Sequence, residues 1–321
     1  MDDLEKQIKK LITPRSSETL ASHWVEYFPS ITPAGEKPSM SVEDVIGFEE
    51  IAVQLKEEYV TSTAKNSTLR GKAITQLAAA KGIRTIVFWE GLFLLHKASH
   101  VVSCSEIGVK RGIKTWSLCD AYQGALFGAK AICYLLGVAF PEHGSKTVML
   151  DVWPDDPNKF QKNKASIVLH EEPSIQFTRW PFLFQHQHIW RVFQRLLRIS
   201  KILTWPKNYT QTLAELDHSK FAHQRNHIHY SNKEWIFNDL HEPDIDATFG
   251  EHPDSLPEAL EYETESDFSV ALSLAILRLG YLLVEEITRG TNKLNDEKDL
   301  IRSQFTPQKH PLYLSAHPLL V

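Results

Sequence analysis

The sequence predicts a mainly helical fold that contains a small region of antiparallel strands. Over most of the chain, apolar residues recur at intervals of three and four, which is the spacing of one buried helix face. Around residues 145–181 the period shortens to two, and prolines punctuate the pattern. The composition, with 42% hydrophobic and 23% charged residues, is typical of a globular protein and not of a disordered one.

The 321 residues are enough for one large domain or two domains of ordinary size. Residues 1–70 are predicted to be an N-terminal helical extension, in which a short amphipathic helix at 1–12 precedes a Pro- and Ser-rich connector. Ser41 can cap a second helix after this connector. Residues 71–290 form the main helical domain, with the strand region as an insertion, and residues 291–321 form a C-terminal tail.

The main domain begins with a pattern that predicts a helix over residues 71–100. Glu90 lies in the most apolar part of this helix, so its carboxylate is either at the helix surface or buried with a partner. A second helix is predicted over 115–136, and Gly137 gives its stop signal. Its small residues form a low ridge that lets another helix approach closely; they are Ala121, Gly124, Ala125, Gly128 and Ala129.

The strand region contains two or three short antiparallel strands in our interpretation. The first shows alternation at Val148, Leu150 and Val152, and the others are expected at 166–170 and 174–178. The period of a helix returns over 184–203, where an apolar stripe lies opposite a basic ridge. The basic ridge consists of Arg191, Arg195, Arg198 and Lys201. It is either a solvated charged face or a surface that follows the backbone of RNA.

The next predicted helix begins near Thr210 and runs into the most unusual stretch of the chain, residues 222–230. This stretch holds three histidines, one arginine and one asparagine. On a continuous helix Arg225 and His229 share one face, since they are four residues apart. An arginine beside a histidine can hold a phosphate and move a proton. The alternative interpretation is a polar, solvated helix end.

Beyond this stretch, residues 239–267 carry eleven acidic residues and no lysine or arginine, which indicates a largely solvated loop. Residues 268–287 are apolar on nearly all sides and predict a buried helix. The formal net charge of -5 gives no general attraction to nucleic acid, so RNA binding would require a local basic patch.

Two segments together resemble the HEPN superfamily of small helical domains, which includes many metal-independent ribonucleases. The helix at 120–137, with the sequence DAYQGALFGAKAICYLLG, is similar to the alanine- and aromatic-rich core helix of that family. The sequence RNHIHY at 225–230 is similar to the family's Arg…His signature, and the helix at 268–287 suits the one that closes such a bundle. The resemblance covers roughly residues 72–140 and 184–290.

The resemblance implies an endoribonuclease, plausibly a toxin or an antiphage defence effector. His229, helped or replaced by His227, would transfer the proton, and Arg225 would stabilise charge on the scissile phosphate. Asn226 would orient the histidine or the phosphate. The resemblance further implies RNA as substrate, a homodimer with two facing motifs and no metal cofactor, and it allows a partner protein that neutralises or activates the enzyme.

Two other interpretations stay open. Three residues separate Arg225 from His229, whereas the family signature leaves four to six, and Tyr230 stands where a family histidine is most often found. This spacing favours a non-catalytic HEPN-fold module that binds a protein, RNA or nucleotide in a toxin–antitoxin or defence assembly. The second of these interpretations is a metal site built from His223 and His227 with His218 or His229. No carboxylate or cysteine matches that spacing.

The sequence also indicates the compartment. The three cysteines are well separated and form no CxxC pair, which excludes a disulfide framework and fits a reducing compartment. The N-terminus lacks the apolar core of a signal peptide, and the most apolar run, residues 270–284, is too short to span a bilayer. We therefore expect a cytoplasmic protein without a membrane segment.

Overall fold

The computed structural model describes residues 14–25, 74–78, 83–140, 142–143, 146–153, 175–179, 185–217, 219, 221, 226 and 268–289. These residues form a mainly α-helical fold with a small antiparallel sheet. The six helices in this part of the chain are α1 (Ser17–Val25), α2 (Ile83–Lys110), α3 (Lys114–Leu135), α4 (His186–Ile199), α5 (Lys207–Glu215) and α6 (Phe268–Thr288). The strands are β1 (Ile74–Ala78), β2 (Val138–Ala139), β3 (Glu142–His143), β4 (Lys146–Asp151) and β5 (Ile175–Arg179).

Helices α2 and α3 form a hairpin that is the centre of the fold. The chain turns between them at Gly112, whose φ of 78° lies in the left-handed region that a glycine adopts without strain. A Cβ on Gly124 would lie 2.5 Å from Val102 Cγ2 of α2, and one on Gly128 would lie 2.7 Å from Ile276 Cγ2 of α6. The low ridge of small residues predicted from the sequence is therefore confirmed, and it admits two neighbouring helices.

Helix α6 completes the core, and its predicted burial is confirmed. Almost every residue of this helix is buried, including Ser269, Ser273 and Glu286. Among the described residues it is the one helix long and apolar enough to cross a membrane, but 83% of its most apolar window is buried inside the fold. Such burial is also typical of the core helix of a soluble protein.

The strands form an antiparallel sheet in the order β1-β5-β4-β2, with β3 paired to β4. In the central pair, β4 aligns Val148 with Arg179 of β5 and Asp151 with Gln176. Strands β4 and β5 lie in the region where the sequence predicts alternation. The strand predicted at 166–170 lies outside the described residues.

Three helix boundaries differ from the sequence prediction. Residues 74–78 were expected at the start of a helix, but they form β1, which pairs with β5 from Ile74–Arg179 to Ala78–Ile175. The apolar residues Ile74, Leu77 and Ala78 have the spacing of a helix, but five residues are too few to decide, and pairing with a distant strand makes the segment a strand. Helix α2 accordingly begins at Ile83, and it continues ten residues beyond His100 because Val109 is buried and Glu106 pairs with Lys110.

The third difference is the most important for function. Helix α5 begins at Lys207 and ends at Glu215, so it does not run on into residues 222–230. Leu216 has φ -54° and ψ 142°, which is incompatible with a further helical turn. The predicted helix at 115–136 is confirmed as α3, and the one at 184–203 as α4. Helix α4 ends earlier than predicted, at Ile199, so Lys201 of the basic ridge lies beyond the helix and its backbone pairs with Ser16. The helices predicted at 1–12 and after Ser41, the acidic stretch 239–267 and the tail 291–321 lie outside the described residues.

The segment 14–25, which contains the unforeseen helix α1, closes the C-terminal end of α3. Trp24 Nε1 donates to the carbonyl of Leu135 at 2.9 Å, and Arg15 Nε donates to that of Leu136 at 3.0 Å. The last carbonyls of a helix have no partner inside it, and a cation there complements the helix dipole. This segment therefore caps the central helix from a distant part of the chain.

Candidate functional site

The predicted catalytic motif is only partly described by the structure. Arg225, His227 and His229 lie outside the described residues, as do His218 and His223 of the alternative metal site. Asn226 is described, has α-helical conformation and is exposed. The position of the motif therefore has to be argued from the described residues that lead up to it, in α4, α5 and the segment after α5.

Helix α4 holds the end of α5 through Gln194, which the sequence did not single out, and through Arg198 of the basic ridge. Gln194 is buried, and its Nε2 donates to the carbonyls of Leu213 at 2.9 Å and Leu216 at 2.7 Å. Arg198 Nη2 donates to the carbonyl of Ala214. Three of the last carbonyls around the end of α5 are thus satisfied by another helix, which explains why α5 stops there.

An aromatic cluster fixes the chain five residues before Asn226. Phe221 is fully buried, with its ring centroid 4.5 Å from that of Trp190 in α4 and 6.4 Å from that of Phe268 at the start of α6. The contact between Phe221 and Trp190 is edge-to-face, an arrangement that aromatic rings prefer. Trp190 in turn packs against Tyr122 of α3 at 6.3 Å between centroids.

The hydrogen bonds of Gln194 and the ring contacts of Phe221 fix the chain on the way to the motif. The carbonyls of Leu213 and Leu216 are fixed on one side and the ring of Phe221 on the other. An exposed residue, Asn226, then follows within two helical turns. Phe221 thus lies in the core at the junction of α3, α4 and α6, and Asn226 is exposed. Sequence analysis named Asn226 but missed Gln194, Trp190 and Phe221, because a buried glutamine or phenylalanine carries no local signal of its partner.

The basic ridge is described completely, and its members differ in environment. Arg191 and Arg195 are half-buried, whereas Arg198 and Lys201 are exposed. Arg198 contributes to holding α5, as described above. The backbone of Lys201 pairs with the N-terminal segment, since its N–H donates to the carbonyl of Arg15 at 2.8 Å. The ridge therefore combines charge with contacts that support the fold.

A further arginine lies where α5 meets α6. The guanidinium of Arg278 stands 5.1 Å from the ring centroid of Tyr209, and its Nη1 donates to the Tyr209 hydroxyl at 3.3 Å. Trp205 Nε1 donates to the carbonyl of Leu279 at 2.9 Å. These contacts fix α5 on the closing helix, so that α4, α5 and α6 form one rigid support before the motif.

Titratable groups also line the outer side of the α2–α3 hairpin. Glu90 is half-buried, and desolvation raises the pKa of its carboxyl, an effect that the charge of Lys130 opposes. Desolvation lowers the pKa of His96 to about 4. Lys97 Nζ lies 4.2 Å from the ring centroid of Phe127, which places the α2 and α3 surfaces side by side.

Lower on the same outer side, Cys104 is the exposed member of the three free cysteines. Its Sγ lies 3.8 Å from Nε2 of His100, one helical turn away. Burial first and the charge of Asp120 second raise the pKa of the Cys104 thiol, and desolvation raises the pKa of the Asp120 carboxyl. In the described part of the chain no group of three or more His, Cys, Asp or Glu side chains is already arranged to hold a metal ion.

Comparisons of the chain with protein-family models, with curated proteins and with solved structures give no match.

Proposed function

We propose that the protein is a metal-independent endoribonuclease whose catalytic motif is Arg225, Asn226, His227 and His229. The observation that carries the proposal is the exposed Asn226 five residues after the fully buried Phe221. A motif that begins there is held at its start by the core and is open to solvent at Asn226. A phosphate-binding arginine and a proton-transferring histidine need both properties when the substrate is a polymer.

The chemistry uses the nucleophile that RNA itself carries. The 2′-oxygen attacks the adjacent phosphorus, its proton goes to a base, and the bond from phosphorus to the 5′-oxygen breaks as that oxygen takes a proton. His229, with His227 as helper or replacement, serves in these proton transfers. Arg225 compensates the charge that develops on the phosphoryl oxygens, and Asn226 orients the histidine or the phosphate.

The neighbouring cations supply a path for the RNA backbone in this proposal. Arg191 follows Trp190, the residue that contacts Phe221, and is half-buried on α4. Arg195 and Lys201 continue the basic ridge. Cations that follow a polyanion give binding whose strength falls steeply with salt. The proposal thus places the substrate along the basic side of α4.

The proposal includes the finer features of the fold. The helices form a HEPN-like bundle, and the strand region at about 145–181 is an insertion in it. Two copies associate with their Arg225 and His229 side chains directed to one cleft, and a partner protein neutralises or activates the enzyme. The working compartment is the cytoplasm.

A second candidate function is a non-catalytic module of the same fold that binds a protein, RNA or nucleotide. The observation that favours it is the role of Arg198, which donates to the carbonyl of Ala214 and so stabilises α5. An arginine engaged in this way contributes less to an RNA surface than the sequence pattern suggests. The short spacing between Arg225 and His229 favours the same alternative.

The test is cleavage of a mixed-sequence RNA in EDTA by the purified protein. We expect cleavage by the wild type and a loss of at least about 100-fold in Arg225→Ala and His229→Ala, since general acid–base catalysis contributes about 10²–10⁴-fold. His186→Ala removes an exposed histidine at the start of α4 and serves as the matched control. Cleavage that persists in both motif variants, or no cleavage by the wild type together with retained RNA binding, would favour the non-catalytic module.

A further inference from the structure

The outer side of the α2–α3 hairpin carries a second cluster of chemically active side chains, away from the proposed catalytic motif. His100 and Cys104 of α2 lie side by side, and the charge of Asp120 on α3 acts on the Cys104 thiol. His100 and Cys104 are both exposed, so solutes can reach them. The other two cysteines, Cys119 and Cys133, are buried.

The close packing of the two helices explains why Asp120 reaches this place. A Cβ on Gly124 would lie 3.3 Å from the carbonyl oxygen of Ala98, so the two backbones approach each other one turn beyond Asp120. Asp120 therefore lies near enough to the Cys104 thiol for its charge to act on it. Lys97, about two helical turns before Cys104 on α2, has its Nζ over the ring of Phe127.

The distance between the two possible ligands suits a metal ion. Cys104 Sγ and His100 Nε2 are 3.8 Å apart. A tetrahedral Zn²⁺ with bonds of about 2.3 Å to sulfur and about 2.0 Å to nitrogen holds these atoms roughly 3.6 Å apart. Residues four apart on a helix present both ligands to one ion without a change of backbone.

The charges of Asp120 and Cys104 also favour a bound cation. Asp120 is half-buried, and no described residue forms a hydrogen bond or an ion pair with its carboxylate. Partial desolvation disfavours a negative charge on each group and raises the pKa of the Cys104 thiol and of the Asp120 carboxyl. A divalent cation at this place would compensate both charges, and the thiol would release its proton to solvent as the metal–sulfur bond forms.

We propose that His100 and Cys104 form a binding site for a divalent cation of intermediate softness, such as Zn²⁺, with the carboxylate of Asp120 beside it. Thiolate and imidazole select this class of metal, whereas Mg²⁺ and Ca²⁺ prefer oxygen ligands. Two protein ligands leave open positions on the ion for water. Asp120 approaches as an outer partner, because the described residues offer no ready-made group of three ligands.

The experiment is a Co²⁺ titration of the full-length protein, followed by absorption in the near ultraviolet. The charge-transfer band that arises there requires a bond between Co²⁺ and a thiolate, so Co²⁺ on histidines elsewhere is not counted. We expect the band in the wild type, its loss in Cys104→Ser and at least tenfold weaker binding in His100→Ala. Asp120→Asn is expected to weaken binding about tenfold, as is common for groups that support metal ligands. His186→Ala should leave the titration unchanged.

A second measurement needs no variant. Zn²⁺ is expected to slow the alkylation of Cys104 at least tenfold in the wild type, as followed by mass spectrometry of the peptide that contains it. Mg²⁺ at equal concentration should have no effect. A band that survives Cys104→Ser, an unchanged titration in His100→Ala, or alkylation that Zn²⁺ does not slow would overturn the proposal. RNA cleavage in EDTA does not depend on this site, so the two proposals can fail separately.

Discussion

Arg15 and Asp151, which are 136 residues apart in the sequence, form a fully buried ion pair at the end of the central helix. Asp151 Oδ1 also accepts from the backbone N–H of Trp153 at 3.1 Å. The guanidinium of Arg15 lies 5.1 Å from the ring centroid of Trp153 and donates to the carbonyl of Leu136. Helix α3, strand β4 and the N-terminal segment thus meet at one pair of charges.

Removal of either partner leaves an unpaired charge in the core. We expect Arg15→Met and Asp151→Asn each to lower the free energy of unfolding by about 3–5 kcal/mol, measured by urea denaturation. The double variant Arg15→Met with Asp151→Asn should lose less than the sum of the two single variants, because no charge is then stranded. Strictly additive losses would contradict the pairing.

The aromatic cluster before the motif gives a prediction for stability and activity together. Phe221→Ala removes a fully buried ring between Trp190 and Phe268, so we expect a loss of about 3–5 kcal/mol in the free energy of unfolding. Phe221→Leu keeps most of the volume and should lose less. If the cluster positions the motif, RNA cleavage by folded Phe221→Leu falls while RNA binding is retained. Unchanged cleavage would contradict the positioning role.

The hydrogen bonds from Gln194 of α4 to the end of α5 can be tested by mutation. In Gln194→Leu the carbonyls of Leu213 and Leu216 lose their common donor, and the new side chain offers none. Buried acceptors without partners cost about 1–3 kcal/mol, so we expect a loss of that size in urea denaturation. Hydrogen exchange of the α5 amides should become faster, whereas exchange in α3 should not. Uniform acceleration in both helices would indicate only a general loss of stability.

The residues of the basic ridge should differ in how their replacement changes the salt dependence of RNA binding. Arg198→Ala is expected to lower the stability of α5, since it removes the donor to Ala214. Arg191→Ala should weaken RNA binding and lower the slope of log Kd against log salt by about one. Binding titrations at several salt concentrations, with denaturation curves for both variants, distinguish the two roles. Equal salt slopes in the wild type and Arg191→Ala would exclude Arg191 from the RNA path.

His96 gives the protein a predicted pH dependence. Its pKa is lowered to about 4 by desolvation, so between pH 6.5 and pH 4 the unfolded chain binds a proton that the folded chain does not. Its contribution to stability is complete above the unfolded pKa and is lost as the pH falls toward 4. We expect the free energy of unfolding of His96→Gln to decrease less than that of the wild type between pH 6.5 and pH 4. A slope equal to that of the wild type would assign the pH dependence to other groups.

The helices that the sequence predicted best are those with a strong local pattern. Helix α3 was recognisable from its small residues and Gly137, and helix α6 from its nearly continuous apolar run. Strand β1 was not, because its five residues take their structure from pairing with β5, about a hundred positions later. The early end of α5 was equally hidden, since Gln194 and Arg198 of another helix bring it about.

The same distinction applies to the candidate site. The unusual composition of residues 222–230 identified the motif, and the exposure of Asn226 agrees with a polar surface. The sequence could not show that Phe221, an ordinary apolar residue, fixes the chain just before it. Nor could it bring His100, Cys104 and Asp120 together, because two different helices supply them.

The attachment of the N-terminal segment also sets an order of events during synthesis. The N–H of Leu203 donates to Ser17 Oγ, and these residues are separated by 186 positions. At about 5–20 residues per second, a ribosome needs roughly 10–40 s to supply the later partner. Ser17 and the carbonyl of Arg15 therefore obtain these hydrogen-bond partners only after α4 has been made. A nascent chain stalled before residue 200 can already cap α3 through Trp24 and Arg15, but it lacks the hydrogen bonds that Lys201 and Leu203 form with the N-terminal segment.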